Sequence, residues 1–333
     1  ILSAANNHSF IAVNELLKAG AEVYRINGSR ADAPEGSFYI PNKGIAGEWL
    51  LKNATSLGAD LLSTDMKTTD DMIRVKPARI ALWDTYGGSM PSGWVRWILE
   101  QHHFEFNLIY AKEINAGNLK DKFDAIVFVD GAIPSMVEGP ASPYEEKEPN
   151  LDEIPAEFHA TVGKITAEKS IPALKSFVEA GGTVITIGSS ANLAYHFKLP
   201  VKNAITEMNN GKERTLPGEK FYIPGSILQV AVSPDLKSNW GMKNKADVYF
   251  NNSPVFKVQP DAIANGTITP LAWFASDKTL RSGWAFGQAY LQDGVAAFET
   301  NVGKGKLTVF GPEITFRAQT HGNFKLLFNQ LYK

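Results

Sequence analysis

From Arg79 onward the chain alternates short, almost uninterrupted apolar runs with segments that are apolar on one helical face. Runs without polar interruptions are typical of strands buried on both faces, whereas an apolar position every three or four residues predicts an amphipathic helix. The predicted strands are residues 80–83, 106–110, 124–129 and 183–188, and the predicted helices are residues 91–101 and 167–180. We therefore expect an α/β domain built on a parallel sheet that is covered on both faces.

Two other patterns flank this domain. Residues 1–74 predict a small α/β unit with helices at 10–19 and 48–56 and strands at 21–26, 37–40 and near Leu61. Residues 201–293 predict a β-rich insertion or subdomain, with short strands at 221–223, 227–232, 248–250, 255–258 and 271–275. The α/β pattern returns with a hairpin-like pair at 295–300 and 306–310 and a final helix at 323–331. Residues 75–200 and 294–333 are thus expected to form one domain, and the start at Ile1 suggests a piece cut from something longer.

Composition narrows the function classes. With 333 residues, 44% hydrophobic and 20% charged, the chain has an ordinary globular composition and enough length for more than one domain. Its 33 basic and 35 acidic residues include no basic run, so no nucleic-acid partner is expected. No apolar stretch approaches the roughly 20 residues of a membrane-spanning helix, so no membrane partner is expected. The absence of cysteine excludes disulfides, thiolate metal sites and a cysteine nucleophile.

Candidate chemistry lies where the predicted strands end, because ligands of parallel sheets bind beyond the carboxyl ends of the strands. Four polar or glycine-containing turns occupy these positions. The candidate ligand-binding residues are Asp84, Tyr86, Gly87, Gly88, Ser89, Asp130, Gly131, Ser189, Ser190, Glu313 and Arg317. The glycine-rich turn could present backbone N–H groups to an anion, or its two glycines could simply allow a tight turn.

Three of these segments resemble class I glutamine amidotransferases. Residues 124–131 are similar to the strand that ends in the oxyanion-hole glycines, residues 182–191 to the strand and elbow of the nucleophilic cysteine, and residues 309–313 to the strand that ends in Phe-His-Pro-Glu. The resemblance implies a flavodoxin-like fold with a degenerate triad: the cysteine position falls at Ser189 or Ser190, the histidine position at Gly311 and the glutamate position at Glu313. Since glycine cannot accept a proton and a serine needs a neighbouring base, no catalytic residue is expected.

A wider resemblance covers most of the chain. Residues 80–94, 282–284 and 316–328 resemble the C-terminal region of large bacterial zinc carboxypeptidases of the carboxypeptidase A type. In that family a peptidase domain precedes an amidotransferase-like domain, which implies an upstream peptidase domain as intramolecular partner. The resemblance places the zinc in that absent domain, so no metal or cofactor is expected in this chain. It also implies a periplasmic or extracellular location and a small-molecule or peptide ligand.

The segment from His102 to Glu105 contains the His-x-x-Glu spacing of a zinc peptidase, so it needs separate attention. It lies between a predicted helix and a predicted strand, where cationic side chains commonly complement the helix dipole. None of the other histidines, which are His8, His159, His196 and His321, has surroundings that mark a third ligand. We therefore predict no zinc site at this position.

Two alternatives to an accessory module stay open. The first is an independent serine hydrolase that uses Ser189 or Ser190 with Glu313, and His321 as the base. The second is a small-molecule or glycan-binding module that uses the strand-end cleft and the β-rich segment. Residues 134–155, with the acidic run 145–148, are predicted to form a solvated surface loop. Trp83, Trp94 and Trp97 are predicted to fill the core.

Overall fold

The computed structural model describes residues 1–28, 30, 33–136 and 149–333. The α-helices are α1 (His8–Lys18), α2 (Ala46–Leu57), α3 (Met90–Gln101), α4 (Ala111–Asn115), α5 (Leu119–Lys122), α6 (Ser170–Glu179), α7 (Leu193–His196), α8 (Pro260–Ala264) and α9 (Phe324–Phe328). The first strands are β1 (Tyr24–Arg25), β2 (Phe38–Tyr39), β3 (Ile73–Arg74), β4 (Ile80–Trp83), β5 (Phe106–Ile109), β6 (Ala125–Phe128), β7 (Thr183–Ile187), β8 (Val201–Asn203) and β9 (Thr206–Asn209). The later strands are β10 (Lys212–Thr215), β11 (Pro224–Val232), β12 (Lys245–Asn251), β13 (Phe256–Val258), β14 (Thr269–Trp273), β15 (Leu280–Ser282), β16 (Val295–Val302) and β17 (Gly305–Phe310).

Five parallel strands form one end of the large sheet, in the order β5-β4-β6-β7-β17. Numbered along the chain this order is 2-1-3-4-5, the order of flavodoxin-like sheets. Every residue of β4 and β6 is buried, as expected of strands that read as continuous apolar runs. The predicted parallel α/β sheet is confirmed, and all four predicted strands have bounds within one residue of the observed ones.

Antiparallel strands extend this sheet on one side. β16 pairs with β17 as the predicted hairpin, and β14, β11 and β12 follow in order. β8, β13 and β15 attach beside them, which gives a mixed sheet of 12 strands. Residues 201–293 are β-rich as predicted, and most of their strands join the central sheet through hydrogen bonds. The proposed domain boundaries stay predictions.

Local predictions near the two ends were less accurate. The strand predicted near Leu61 is a single bridge to Leu2, because Leu61 is partly solvent-exposed and the polar residues Ser63, Thr64 and Asp65 follow Leu62. The strand predicted at 21–26 shortens to β1. The final helix ends at Phe328 instead of 331, where Leu331 N donates to Phe328 O in a tighter turn before Lys333 pairs with Lys76. Trp97 is also wrong as a core residue, since 47% of it is exposed on the outer face of α3.

The acidic run 145–148 and much of the predicted loop 134–155 lie outside the described residues. Within the described part, no helix is both long and apolar enough to cross a membrane.

Candidate functional site

The turns that follow β4, β6, β7 and β17 lie at one edge of the sheet, because these strands are parallel neighbours. Hydrogen bonds tie the turns after β6 and β7 to each other. Ser189 N donates to Asp130 Oδ1 at 2.7 Å, and Gly131 N donates to Ser189 Oγ at 2.8 Å. The structure thus brings together Asp130, Gly131 and Ser189 as the sequence predicted.

Gly188 makes this close approach possible. Its φ is +65°, and a Cβ atom at this position would lie 2.4 Å from Asp130 Oδ1. A side chain is therefore excluded both by backbone conformation and by space. The elbow after β7 depends on a glycine that lets the Asp130 carboxylate reach the following N–H group.

Ser190 is fully buried and its hydroxyl group is saturated with hydrogen bonds. Its Oγ accepts from Ala132 N and Ile133 N, each at 3.1 Å, and donates its proton to Val129 O. A hydroxyl whose proton is held by a backbone carbonyl has no base to activate it. Ser190 therefore acts as a clamp between the elbow and the turn after β6.

Gly311 stands where the amidotransferase resemblance places the catalytic histidine, and the structure leaves no room for a side chain there. A Cβ atom would lie 2.0 Å from Pro254 O and 3.1 Å from Ala296 O. The obstacle is backbone on both sides, and Gly311 N itself donates to Ala296 O at 2.9 Å. Close packing between β17 and the turn before β13 thus fills the space that a side chain at Gly311 would need.

Glu313 is 8% exposed, and none of the described residues donates a hydrogen bond to its carboxylate. Burial, together with the nearby charge of Asp130, raises the pKa of Glu313 to about 7. Arg317 does not neutralise the Glu313 carboxylate. It is exposed, and its guanidinium lies 5.6 Å from the centre of the Phe316 ring. Within the described part of the chain it forms no ion pair. Arg317, one of the candidate ligand-binding residues, thus forms no ion pair with Glu313.

The glycine-rich turn after β4 is satisfied by its own groups. Asp84 Oδ1 accepts from Thr85 N at 2.9 Å and from Ser89 N at 2.7 Å. Ser89 caps α3 by accepting from Ser92 N, and Gly87 and Gly88 both have φ of +82°. The ring of Tyr86 packs near that of Phe158, with centroids 6.3 Å apart. These contacts match the view that the two glycines allow a tight turn.

The histidines considered for catalysis or zinc have other partners. His321 O accepts a hydrogen bond from Asn7 Nδ2. The His321 ring packs on the Phe324 ring, with centroids 5.0 Å apart. His321 thus lies near His102 at the carboxyl end of α3, whereas Ser189 and Ser190 lie at the edge of the sheet where α3 begins. His102 is buried, with Nδ1 bonded to Ile98 O, and His103 Nδ1 contacts Glu15. Burial lowers the pKa of His102, so it does not act as the cationic end of the helix. Among the described residues no group of three or more metal-ligating side chains converges.

Sequence reasoning missed a cleft of about 740 Å³ beside these turns. Residues 135–136 form one side, Asn192 and Tyr195 beyond the elbow form another, and the hairpin of β9 and β10 and the turn at 252–254 complete it. Pro254, which blocks Gly311, is part of its wall. These residues come from distant parts of the chain, so no spacing in the sequence marks them.

Comparisons with known proteins give little beyond this. No protein-family model matches the chain, and no curated protein matches it. A ThuA-like protein from Bacteroides uniformis is 11% identical, with 80% of this chain and 94% of that chain covered and a TM-score of 0.39. A ThuA-like protein from Parabacteroides merdae is 11% identical, with 77% and 89% covered and a TM-score of 0.42. A beta-galactosidase from Bacillus circulans is also 11% identical, with a TM-score of 0.39. The match covers 77% of this chain but only 32% of that protein. These scores are too low to assign an activity or a ligand to this chain.

Proposed function

We propose that this chain is a non-catalytic, amidotransferase-like module that accompanies a zinc carboxypeptidase domain of the same parent protein. In this proposal zinc and peptide hydrolysis belong to that other domain, and the parent protein acts in the periplasm or outside the cell. The module packs beside the peptidase domain or positions its peptide substrate.

The observation that carries the non-catalytic part is the space around Gly311. Loss of a catalytic histidine by a single substitution leaves a gap, whereas here the Pro254 carbonyl fills the place of a Cβ atom. The two candidate nucleophiles support the same conclusion, because the Oγ atoms of Ser189 and Ser190 already accept backbone hydrogen bonds. The fold has therefore been repacked around the missing triad, which supports a role in shape or binding.

The amidotransferase-like part rests on the strand order together with the three sequence segments. The segments fall on β6, β7 and β17, which are adjacent parallel strands, and their turns meet at one edge. The elbow after β7, Gly131 and Glu313 each follow one of these strands, which supports the resemblance. The peptidase partner rests on sequence resemblance.

Three assays on the purified chain test the absence of catalysis. We expect no ammonia release from glutamine, no zinc-dependent release of C-terminal amino acids from peptides, and no labelling by a fluorophosphonate probe. The Ser189→Ala and Ser190→Ala variants serve as matched controls for the probe. Labelling that either variant abolishes would support the serine hydrolase alternative and contradict this proposal.

The peptidase partner has a separate test. The genomic sequence that adjoins the codon of Ile1 is expected to encode a His-x-x-Glu motif followed at domain scale by a lone histidine and a glutamate. If it does, the parent protein expressed with and without this chain should differ in the KM or kcat of peptide hydrolysis. An adjoining open reading frame without these ligands would contradict the partnership and leave the non-catalytic conclusion intact.

A further inference from the structure

Lys325, in α9, is a buried cation whose charge no other described residue balances. Only 7% of the residue is exposed, and burial lowers the pKa of its ammonium group. The ammonium has three N–H groups, and Asn7 Oδ1, at 3.4 Å from Nζ, is the one side-chain acceptor that they reach in the described part of the chain. Since a buried charge without a counter-ion costs free energy, Lys325 is a candidate for binding an anion.

The Lys325 side chain contributes to the wall of an open pocket of about 500 Å³, which we call the Lys325 pocket (residues 3, 5–8, 60, 321, 322 and 325). Asn7 Nδ2 donates to His321 O at 2.8 Å, which ties the first of these segments to the last. The exposed side chains of His8 and His321 lie in the same wall as the buried Lys325. The pocket therefore combines an ammonium group with two imidazoles that solvent can reach.

The amino end of α1 lies at this pocket, because His8 is the first residue of the helix. No acidic residue lies in the first turn of α1, so nothing in that turn offsets the partial positive charge of the helix end. The first N–H groups already have acceptors: His8 N donates to Asn6 Oδ1 at 2.9 Å, and Ser9 N donates to Asn6 O at 3.1 Å. The helix therefore contributes its dipole to the pocket, and hydrogen bonds to an anion come from side chains.

Asp60 is the only carboxylate among the residues that line the pocket, and its charge opposes an anion. Asp60 Oδ2 accepts a hydrogen bond from Asn6 Nδ2 at 3.2 Å. Asp60 is exposed, so water and salt screen its charge, whereas the charge of Lys325 is buried and acts through a medium of low dielectric constant. The attraction of Lys325 and of the helix end for an anion therefore exceeds the repulsion by Asp60.

We propose that the Lys325 pocket binds a phosphate group, either as free phosphate or as a phosphate monoester. An ammonium group and two imidazoles offer donors from two segments of the chain. Such an arrangement suits the oxygens of a tetrahedral anion, which point in different directions, better than the two coplanar oxygens of a carboxylate. Because the pocket is open, the organic part of a monoester extends into solvent. The site lies at the carboxyl end of α3 and is independent of the proposed peptidase partnership.

Isothermal titration calorimetry of the full chain tests the site, with inorganic phosphate and glycerol 2-phosphate as probes in a low-salt buffer at pH 7. We expect saturable binding of at least one probe with a Kd of about 1 mM or lower, and weaker binding when NaCl is added. Lys325→Met removes the charge at nearly constant length and should weaken binding about tenfold or more. Asp60→Asn removes the opposing charge and should strengthen binding about threefold.

Lys52→Met is the matched control, because it makes the same substitution at an exposed lysine of α2 outside the pocket and should leave the affinity unchanged. Lys325→Met should fold, since an apolar side chain of similar length replaces a buried, unpaired charge.

The proposal is overturned if neither probe binds, if Lys325→Met binds as tightly as the parent chain, if Asp60→Asn weakens binding, or if acetate competes as strongly as phosphate. Tighter binding of glycerol 2-phosphate than of inorganic phosphate assigns the pocket to a monoester, and the reverse order assigns it to free phosphate. None of these outcomes bears on the assays for catalysis, so the two proposals fail separately.

Discussion

The two edges of the parallel sheet each bury a carboxylate, and they treat it in opposite ways. At the amino edge, just before β6, Asp124 has a side chain that is 4% exposed and contacts three cations: Arg79 at 2.9 Å, Lys333 at 2.6 Å and Lys120 at 3.2 Å. At the carboxyl edge, Glu313 is about equally buried and contacts no cation within the described part of the chain.

The pKa values follow this difference. Burial alone would raise the pKa of Asp124, but the hydrogen bonds from Arg79, Lys333 and Lys120 hold it well below its usual range. Burial and the nearby charge of Asp130 raise the pKa of Glu313 to about 7, because no cation offsets them. A paired carboxylate stabilises its fold, whereas an unpaired one costs stability and persists where another constraint holds it. The amino edge is therefore held together by ion pairs, whereas the carboxyl edge holds a buried carboxylate without one.

The largest effect is expected from adding a side chain at Gly311, where the carboxyl edge leaves no room for one. Gly311→Ala forces a Cβ atom against Pro254 O, so the turn before β13 must shift. This shift should lower the free energy of unfolding by about 3 kcal/mol. Urea unfolding measures the loss. Gly93→Ala is the matched control, since nothing lies within 4 Å of that Cβ position in α3 and alanine favours a helix. A Gly311→Ala protein as stable as the parent chain would show that this edge is not tightly packed.

The sequence predicted most of the carboxyl edge, because strands buried on both faces appear as continuous apolar runs and parallel strands end together. β4, β6 and β7 were found this way, and Asp130 and Ser189 were among the residues expected at this edge. It could not predict what blocks Gly311, because Pro254 is 57 residues away along the chain and approaches only through the pairing of β13 with β16. The contact of Tyr222 with Phe286 could not be predicted either, because the bridge joins distant segments of the chain.

A smaller loss is expected from breaking the amino edge. Asp124→Asn removes the charge that Arg79, Lys120 and Lys333 share, and should cost about 2 kcal/mol at pH 7, less than a fully buried pair because the cations are partly exposed. Because the pKa of Asp124 is lowered by folding, its contribution is present above the ordinary value of about 3.9 and disappears as the pH falls through the lower folded value.

The difference in unfolding free energy between the Asp124→Asn and parent chains, measured by urea unfolding, should therefore become smaller as the pH falls below 4. Asp121→Asn, at an exposed neighbouring position, is the control and should change stability by less than about 0.5 kcal/mol. An equal loss from both variants would mean that the cluster around Asp124 adds nothing specific.

The smallest effect has the opposite sign. A carboxyl group whose pKa rises on folding binds its proton more tightly in the folded chain, so its contribution is present below the ordinary value near 4.5 and is lost as the pH rises through about 7. Glu313→Gln removes the free-energy cost of an unpaired, buried carboxylate at high pH. The variant should be about 1 kcal/mol more stable than the parent chain at pH 8, and about 1 kcal/mol less stable at pH 5, where Glu313 is already protonated and the buried, unpartnered amide still costs free energy. Thermal unfolding at the two pH values measures the difference. A Glu313→Gln chain that is less stable at pH 8 would mean that the carboxylate is stabilised in place, and that the two edges of the sheet treat their carboxylates alike.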